Sequence, residues 1–219
     1  MDERTWAERL AVIATLHDPV RRALYEYVAG RAEPVGRDAA AEALGLNRST
    51  TAFHLDRLAA EGLLTVAYRR LTGRTGPGAG RPAKLYHRPD REVAVSVPER
   101  HYDLAGELFA AAIERSRDSG RPVADVLPEV GHEVGRRLGA AAGSVRSALD
   151  RYGFQPRPDG ASWVLGNCPF HHLARRYPQL VCGLNRELLR GVAAGAHDDT
   201  YAMVLDPGPD RCCVRLVKR

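Results

Sequence analysis

The stretch that most restricts this chain's fold runs from Arg37 to Leu63. A short apolar-periodic segment, Arg37 to Leu44, is stopped by Gly45, and Leu46-Asn47 then leads into Arg48-Ser49-Thr50-Thr51-Ala52-Phe53-His54-Leu55-Asp56-Arg57-Leu58-Ala59-Ala60. Asn47 is a good N-cap because its side chain can accept from the free N–H groups of the first turn. Thr51, Leu55, Leu58 and Ala59 fall on one face of the second helix, and Arg48, Ser49, Thr50, Phe53, His54 and Arg57 fall on the other. A short helix, a glycine turn and a second helix with a polar N-terminal face form helix-turn-helix grammar, in which that N-terminal face meets base edges.

The neighbouring segments extend the pattern. Asp18-Pro19 caps and starts a helix ending at Gly30, and Trp6 to Leu16 reads as a helix with apolar residues at 6, 10, 13 and 16. After Leu63, the run Leu64 to Arg70 alternates, a glycine-rich tip follows from Gly73 to Pro82, and Ala83 to Arg88 returns. This is a hairpin with a long tip, the wing of a winged helix. Between Leu63 and Arg91 seven basic residues stand against Asp90 alone, a local charge of +6 in a chain whose net charge is +5. Arg70, Arg74, Arg81 and Lys84 therefore join the α-helical set as candidate phosphate contacts, with Arg81 at the tip suited to a narrow minor groove. Arginine richness alone does not argue for nucleic acid here, because 30 of the 32 basic residues are arginine and the chain is rich in Ala and Gly throughout.

Residues 98–149 read as helical throughout, with apolar stripes at Tyr102, Ala105, Leu108, Phe109, Ala112 and Ile113, and again at Val123, Val126, Leu127, Val130, Val134 and Leu138. The second stripe carries Gly131, Gly135, Gly139 and Gly143. Each glycine costs a helix about 1 kcal/mol relative to alanine, so four in register call for close approach of another helix. The expectation is a dimerisation and linker segment, since a dimer supplies two recognition helices about one DNA turn apart.

The last third holds a ladder of soft donors, C-x13-C-x14-H-x14-C, formed by Cys168, Cys182, His197 and Cys212. Cys213 is adjacent, and all four cysteines lie within 46 residues. Cys168 follows a short strand, Ser162 to Leu165. Cys182 sits in the first turn of a helix, where the dipole is expected to lower its pKa. His197 follows that helix, and Cys212 opens one arm of a terminal hairpin. A structural zinc site would show paired C-x2–4-C knuckles, which are absent, and Cys–His catalysis would need one thiol rather than three. An iron–sulfur cluster takes thiolates from separated segments and accepts histidine. Inert buried cysteines remain the alternative at this point.

Leu16-His17-Asp18-Pro19-Val20-Arg21-Arg22-Ala23-Leu24 and Ser49 to Leu63 resemble the ArsR-like winged-helix repressors, over roughly residues 10 to 90. With the ladder added, the whole resembles the SufR-type iron–sulfur repressors. That resemblance implies an α+β chain: a winged helix-turn-helix over residues 1–97, a helical dimerisation linker over 98–152 and a small α/β cysteine domain over 153–219. It implies a cluster, 2Fe–2S or 4Fe–4S, held by Cys168, Cys182 and Cys212, with His197 as fourth ligand and Cys213, His171 or His172 as competitors. The expected function is a homodimeric repressor that binds a double-stranded DNA operator under control of the cluster. The alternatives are a winged-helix regulator sensing zinc or a small molecule, and a thiol redox protein. No Ser-His-Asp set, C-x-x-C pair or phosphate loop points to an enzyme. No apolar run of membrane-spanning length and no signal peptide is read, so a cytoplasmic location is expected.

Overall fold

A computed structural model describes residues 4–70 and 82–219, which divide into two compact units, Met1–Val95 and Ser96–Arg219. Its architecture is mixed α and β with two antiparallel sheets.

In the first unit, α1 (Trp6–Ala14) opens on a capping box between Thr5 and Glu8, and α2 (Pro19–Ala29) opens on Asp18. A two-residue strand β1 (Val35–Gly36) precedes α3 (Arg37–Leu44), which Gly45 ends in the left-handed region at φ 63°. Asn47 caps α4 (Arg48–Ala60) by accepting from the Ser49 amide at 2.9 Å. The strands β2 (Thr65–Arg69) and β3 (Ala83–His87) pair antiparallel, with Ala67 opposite Leu85, and β1 joins the other edge of β3. Leu24, Val28, Ala40, Leu55, Leu58, Leu64 and Tyr86 form the core. The expected inward face of α1 differs: Val12 is buried, whereas Leu10 and Ile13 are exposed. Arg74 and Arg81, expected at the hairpin tip, lie outside the described residues.

The second unit comprises α5 (Tyr102–Ser119), α6 (Val123–Ala142), α7 (Val145–Arg151), α8 (His171–Arg176) and α9 (Pro178–Gly195). With them is a sheet in the order β4 (Pro156–Asp159), β5 (Ser162–Leu165), β7 (Val214–Lys218), β6 (Tyr201–Leu205). Residues 98–152 and 153–219 were expected as separate regions, but they share one core, running from Leu104, Leu108 and Val126 to Leu165, Leu188 and Leu216.

The glycine seam explains the difference. A Cβ on Gly135 or Gly139 would collide with the carbonyl oxygens of Leu188 or Val192 on α9. In return, a Cβ on Gly191 or Gly195 of α9 would collide with the carbonyls of His132 or Arg136 on α6. The close helix partner is therefore α9 of the same chain rather than a second copy. Gly143 is not part of the seam; it ends α6 at φ 74°.

Candidate functional site

Backbone pairing brings three of the four cysteines to one place. The β5–β7 ladder, with Val164 opposite Arg215, is extended by a bond from the Cys212 amide to the Leu165 carbonyl at 2.8 Å. Cys212 and Cys213 are thereby fixed beside the loop Gly166–Phe170, which carries Cys168. From the other side α9 presents Cys182 and, three residues on and so on the same face, Asn185. Asn185 is fully buried and donates from Nδ2 to the Cys212 sulfur at 3.2 Å.

The four thiols stand as a string of near neighbours that shift one another's acidity: Cys168 with Cys212, Cys212 with Cys213, and Cys213 with Cys182. No disulfide joins them. The string distributes acidity unevenly. Donation by the Cys212 thiol, supplemented by Cys182, lowers Cys213 to about 7 against its partial burial. Cys168 is also lowered, chiefly by Cys212. Cys212 is raised well above the ordinary thiol range by these bonds and by burial. One S–H carries one hydrogen, so Cys212 supports Cys168 or Cys213 at any moment, whereas Cys213 has Cys182 as a second donor. Cys213 and Cys168 are thus the thiols favoured toward the charged form, and Cys212 and Cys182 those held protonated.

Cys182 departs from expectation. Its thiol is pushed up to about 12, by burial first and then by donating to Cys213. It lies five residues into α9, beyond the first turn where the dipole acts strongly, so its neighbours decide its acidity.

His197 does not join the string. It is exposed and sits just beyond the C-terminus of α9, about 20 Å along the helix axis from Cys182 at 1.5 Å per residue. Its φ of 54° and the bond from the Asp198 amide to the Ala193 carbonyl at 3.0 Å make it a helix stop of the left-handed kind. His171 and His172 open α8, where their rings stack edge to face and His172 leans on Tyr102. Cys213 occupies the place given to a fourth donor. Among the described residues no three His, Cys, Asp or Glu side chains already form the shell of an ion; the thiols stand as a string.

Sequence reasoning missed Asn185 and Asn167. Asn185 interrupts the buried stripe Val181, Leu184, Leu188, Leu189, and that polar break in an apolar face was its signal. Asn167 had no signal beyond its place next to Cys168.

On the first unit, Arg48, Ser49, Thr50, Phe53 and Arg57 are exposed along α4, Phe53 to 65%. His54 was expected on the same outward face, yet it is half-buried. Four of the nearby cations already hold an acid: Arg48 with Asp38, Arg57 with Glu61 at 2.7 Å, Arg69 with Glu33 at 3.4 Å and Lys84 with Asp56 at 2.5 Å. Exposed pairs of this kind are worth about 0–1 kcal/mol, so a phosphate can replace the acid at little cost. Lys84 is the exception. Its partner Asp56 also accepts from the buried Tyr86 hydroxyl at 2.5 Å, which ties β3 to α4. Arg70 follows β2 and is exposed. Among the described residues no helix is long and apolar enough to cross a membrane. No protein family matches this chain, and neither does any curated protein or solved structure.

Proposed function

We propose that this chain is a DNA-binding transcriptional repressor of winged-helix type, acting as a homodimer, whose operator affinity follows the state of an iron–sulfur cluster on the C-terminal cysteines. The observation that carries the reading is the convergence of four thiols from three separated segments on one string. The donor set is all sulfur, which suits iron–sulfur chemistry and excludes the hard, oxygen-ligated cations. A buried amide already donates to one of those sulfurs, and the same Asn185 leaves a buried acceptor, Oδ1, with no partner among the described residues. An amide that donates to a sulfur stabilises charge on it, which would offset in part the burial and neighbouring thiols that hold the free Cys212 protonated.

Cys168, Cys182 and Cys212 would hold the group, with Cys213 as fourth donor in place of His197. Such a group supplies redox and oxygen sensitivity. The chain's residues would supply the thiolates and the N–H···S bond, with Cys168 and Cys212 buried and Cys182 and Cys213 partly so. The reading face is the outward side of α4, with Arg48, Ser49, Thr50, Phe53 and Arg57 toward the groove and the β2–β3 hairpin toward phosphates.

The test is anaerobic purification with iron and sulfide assays and a visible spectrum. Iron and sulfide in similar amounts, lost in Cys168→Ser, support the proposal. Zinc without sulfide would favour the zinc-sensing alternative, because the same thiols suit zinc. A colourless chain that takes up neither metal after reconstitution ends the cluster reading.

A further inference from the structure

The loop that carries Cys168 has a second attachment besides the thiols. Ser96–His101 opens the second unit, immediately after Val95 ends the first, and leads into α5. This segment is bonded to the Cys168 loop residue by residue. Asn167, buried, donates from Nδ2 to the carbonyls of Glu99 at 3.0 Å and Gly153 at 2.6 Å. Its Oδ1 accepts from the Arg100 guanidinium. The same guanidinium nitrogen donates to the Cys168 carbonyl at 3.2 Å and to the Glu99 carbonyl at 3.0 Å. The His101 amide donates to the Pro169 carbonyl at 3.1 Å, and the Ser96 hydroxyl accepts from the Arg100 amide at 2.7 Å. The floor is shaped to match: Gly153 has φ 68°, and a Cβ there would meet the Glu99 side chain within 3 Å.

Asn167, Cys168 and Pro169 thus each give a polar group to the segment through which the chain leaves Val95. None of these bonds is needed to gather the thiols, since the Cys212–Leu165 bond and α9 already do that. We infer that Asn167 and Arg100 are positioning residues that pass the state of the Cys168 sulfur to the backbone of residues 96–101. Binding at that sulfur moves the loop carbonyls, and hydrogen bonds near 3 Å are lost within a few tenths of an ångström of further separation. The segment then has to find a new position. The use of this coupling rests on the thiols being the sensing group, but the coupling itself does not.

The experiment is hydrogen–deuterium exchange on the full chain, reduced and metal-free, before and after its thiols are capped with p-hydroxymercuribenzoate. Each capped thiol forms an S–Hg bond, and its proton leaves with the reagent's hydroxide as water. In the wild type, capping is expected to speed exchange across residues 96–101, His101 included, at least fivefold, while amides in α6 stay within twofold. In Asn167→Ala and Arg100→Lys the segment should exchange fast from the start and respond to capping less than twofold. Cys168→Ala removes the sulfur without adding bulk and should shift the wild-type segment in the same direction. Unchanged exchange at 96–101 in the capped wild type, or a full response in both variants, overturns the inference. Failure of the chain to take up iron and sulfide would end the cluster reading and leave this result standing.

Discussion

At the scale of single residues the thiol string makes a pH prediction with a definite sign. Cys212 and Cys182 both donate toward Cys213, which favours its charged form and lowers it to about 7. Alkylation of the reduced, metal-free chain by iodoacetamide, followed by peptide mass spectrometry, should show the Cys213 rate rising through an inflection near pH 7. Cys182, held up at about 12, should stay unreactive through neutral pH. Because the thiols titrate as a coupled set, Cys212→Ala should move the Cys213 inflection upward by removing its main donor. His197 makes the complementary prediction. A residue with a Cβ pays about 1–2 kcal/mol to hold the left-handed region. His197→Gly should therefore raise thermal stability, measured by calorimetry, by about 1 kcal/mol. It should leave the iron content of reconstituted protein unchanged, an outcome that separates a helix stop from a ligand.

Among elements, the α6–α9 pair decides the sign of glycine substitutions. Alanine in a helix interior normally gains about 1 kcal/mol over glycine. Gly135→Ala should nevertheless destabilise by about 2 kcal/mol or more, because its Cβ would meet backbone rather than a yielding side chain. Gly106→Ala on α5 has open space at its Cβ and should stabilise by up to about 1 kcal/mol. Urea melts of the two variants make the comparison. The same elements show what the sequence could reveal. Helix starts and stops were legible because Asp18, Asn47 and Gly45 are residue types whose chemistry fixes a local geometry, whereas Gly143 read as part of the seam and is a helix stop. The glycine seam announced a close helix, yet its partner was not legible, since spacing on α6 says nothing about which element approaches. Gly191 and Gly195 hold the answer, but Gly195 also reads as an ordinary helix end. The strand β1, two residues long, was too short for periodicity to register. The left-handed turn at His197 was hidden because no glycine or asparagine marks it, and an evenly spaced histidine therefore passed as a rung of the ladder.

On the scale of the whole molecule, the proposal asks a thiol centre in one unit to set the DNA affinity of another. Electrostatics supply one prediction. Arg48 is exposed and, among the described residues, paired with Asp38, so Arg48→Ala should weaken binding to a genomic DNA fragment and reduce the slope of log affinity against log salt by about 1 if it contacts a phosphate. Coupling supplies the other. If cluster occupancy biases DNA binding, DNA must bias cluster retention by the same factor. The most direct test is the affinity of one genomic fragment, recovered by pull-down, for full-length protein reconstituted with iron and sulfide and for the same preparation stripped by a chelator, at one salt concentration. The account predicts affinities that differ at least tenfold, about 1.4 kcal/mol, with the difference abolished in Cys168→Ser. Equal affinities for the loaded and stripped chain would contradict it.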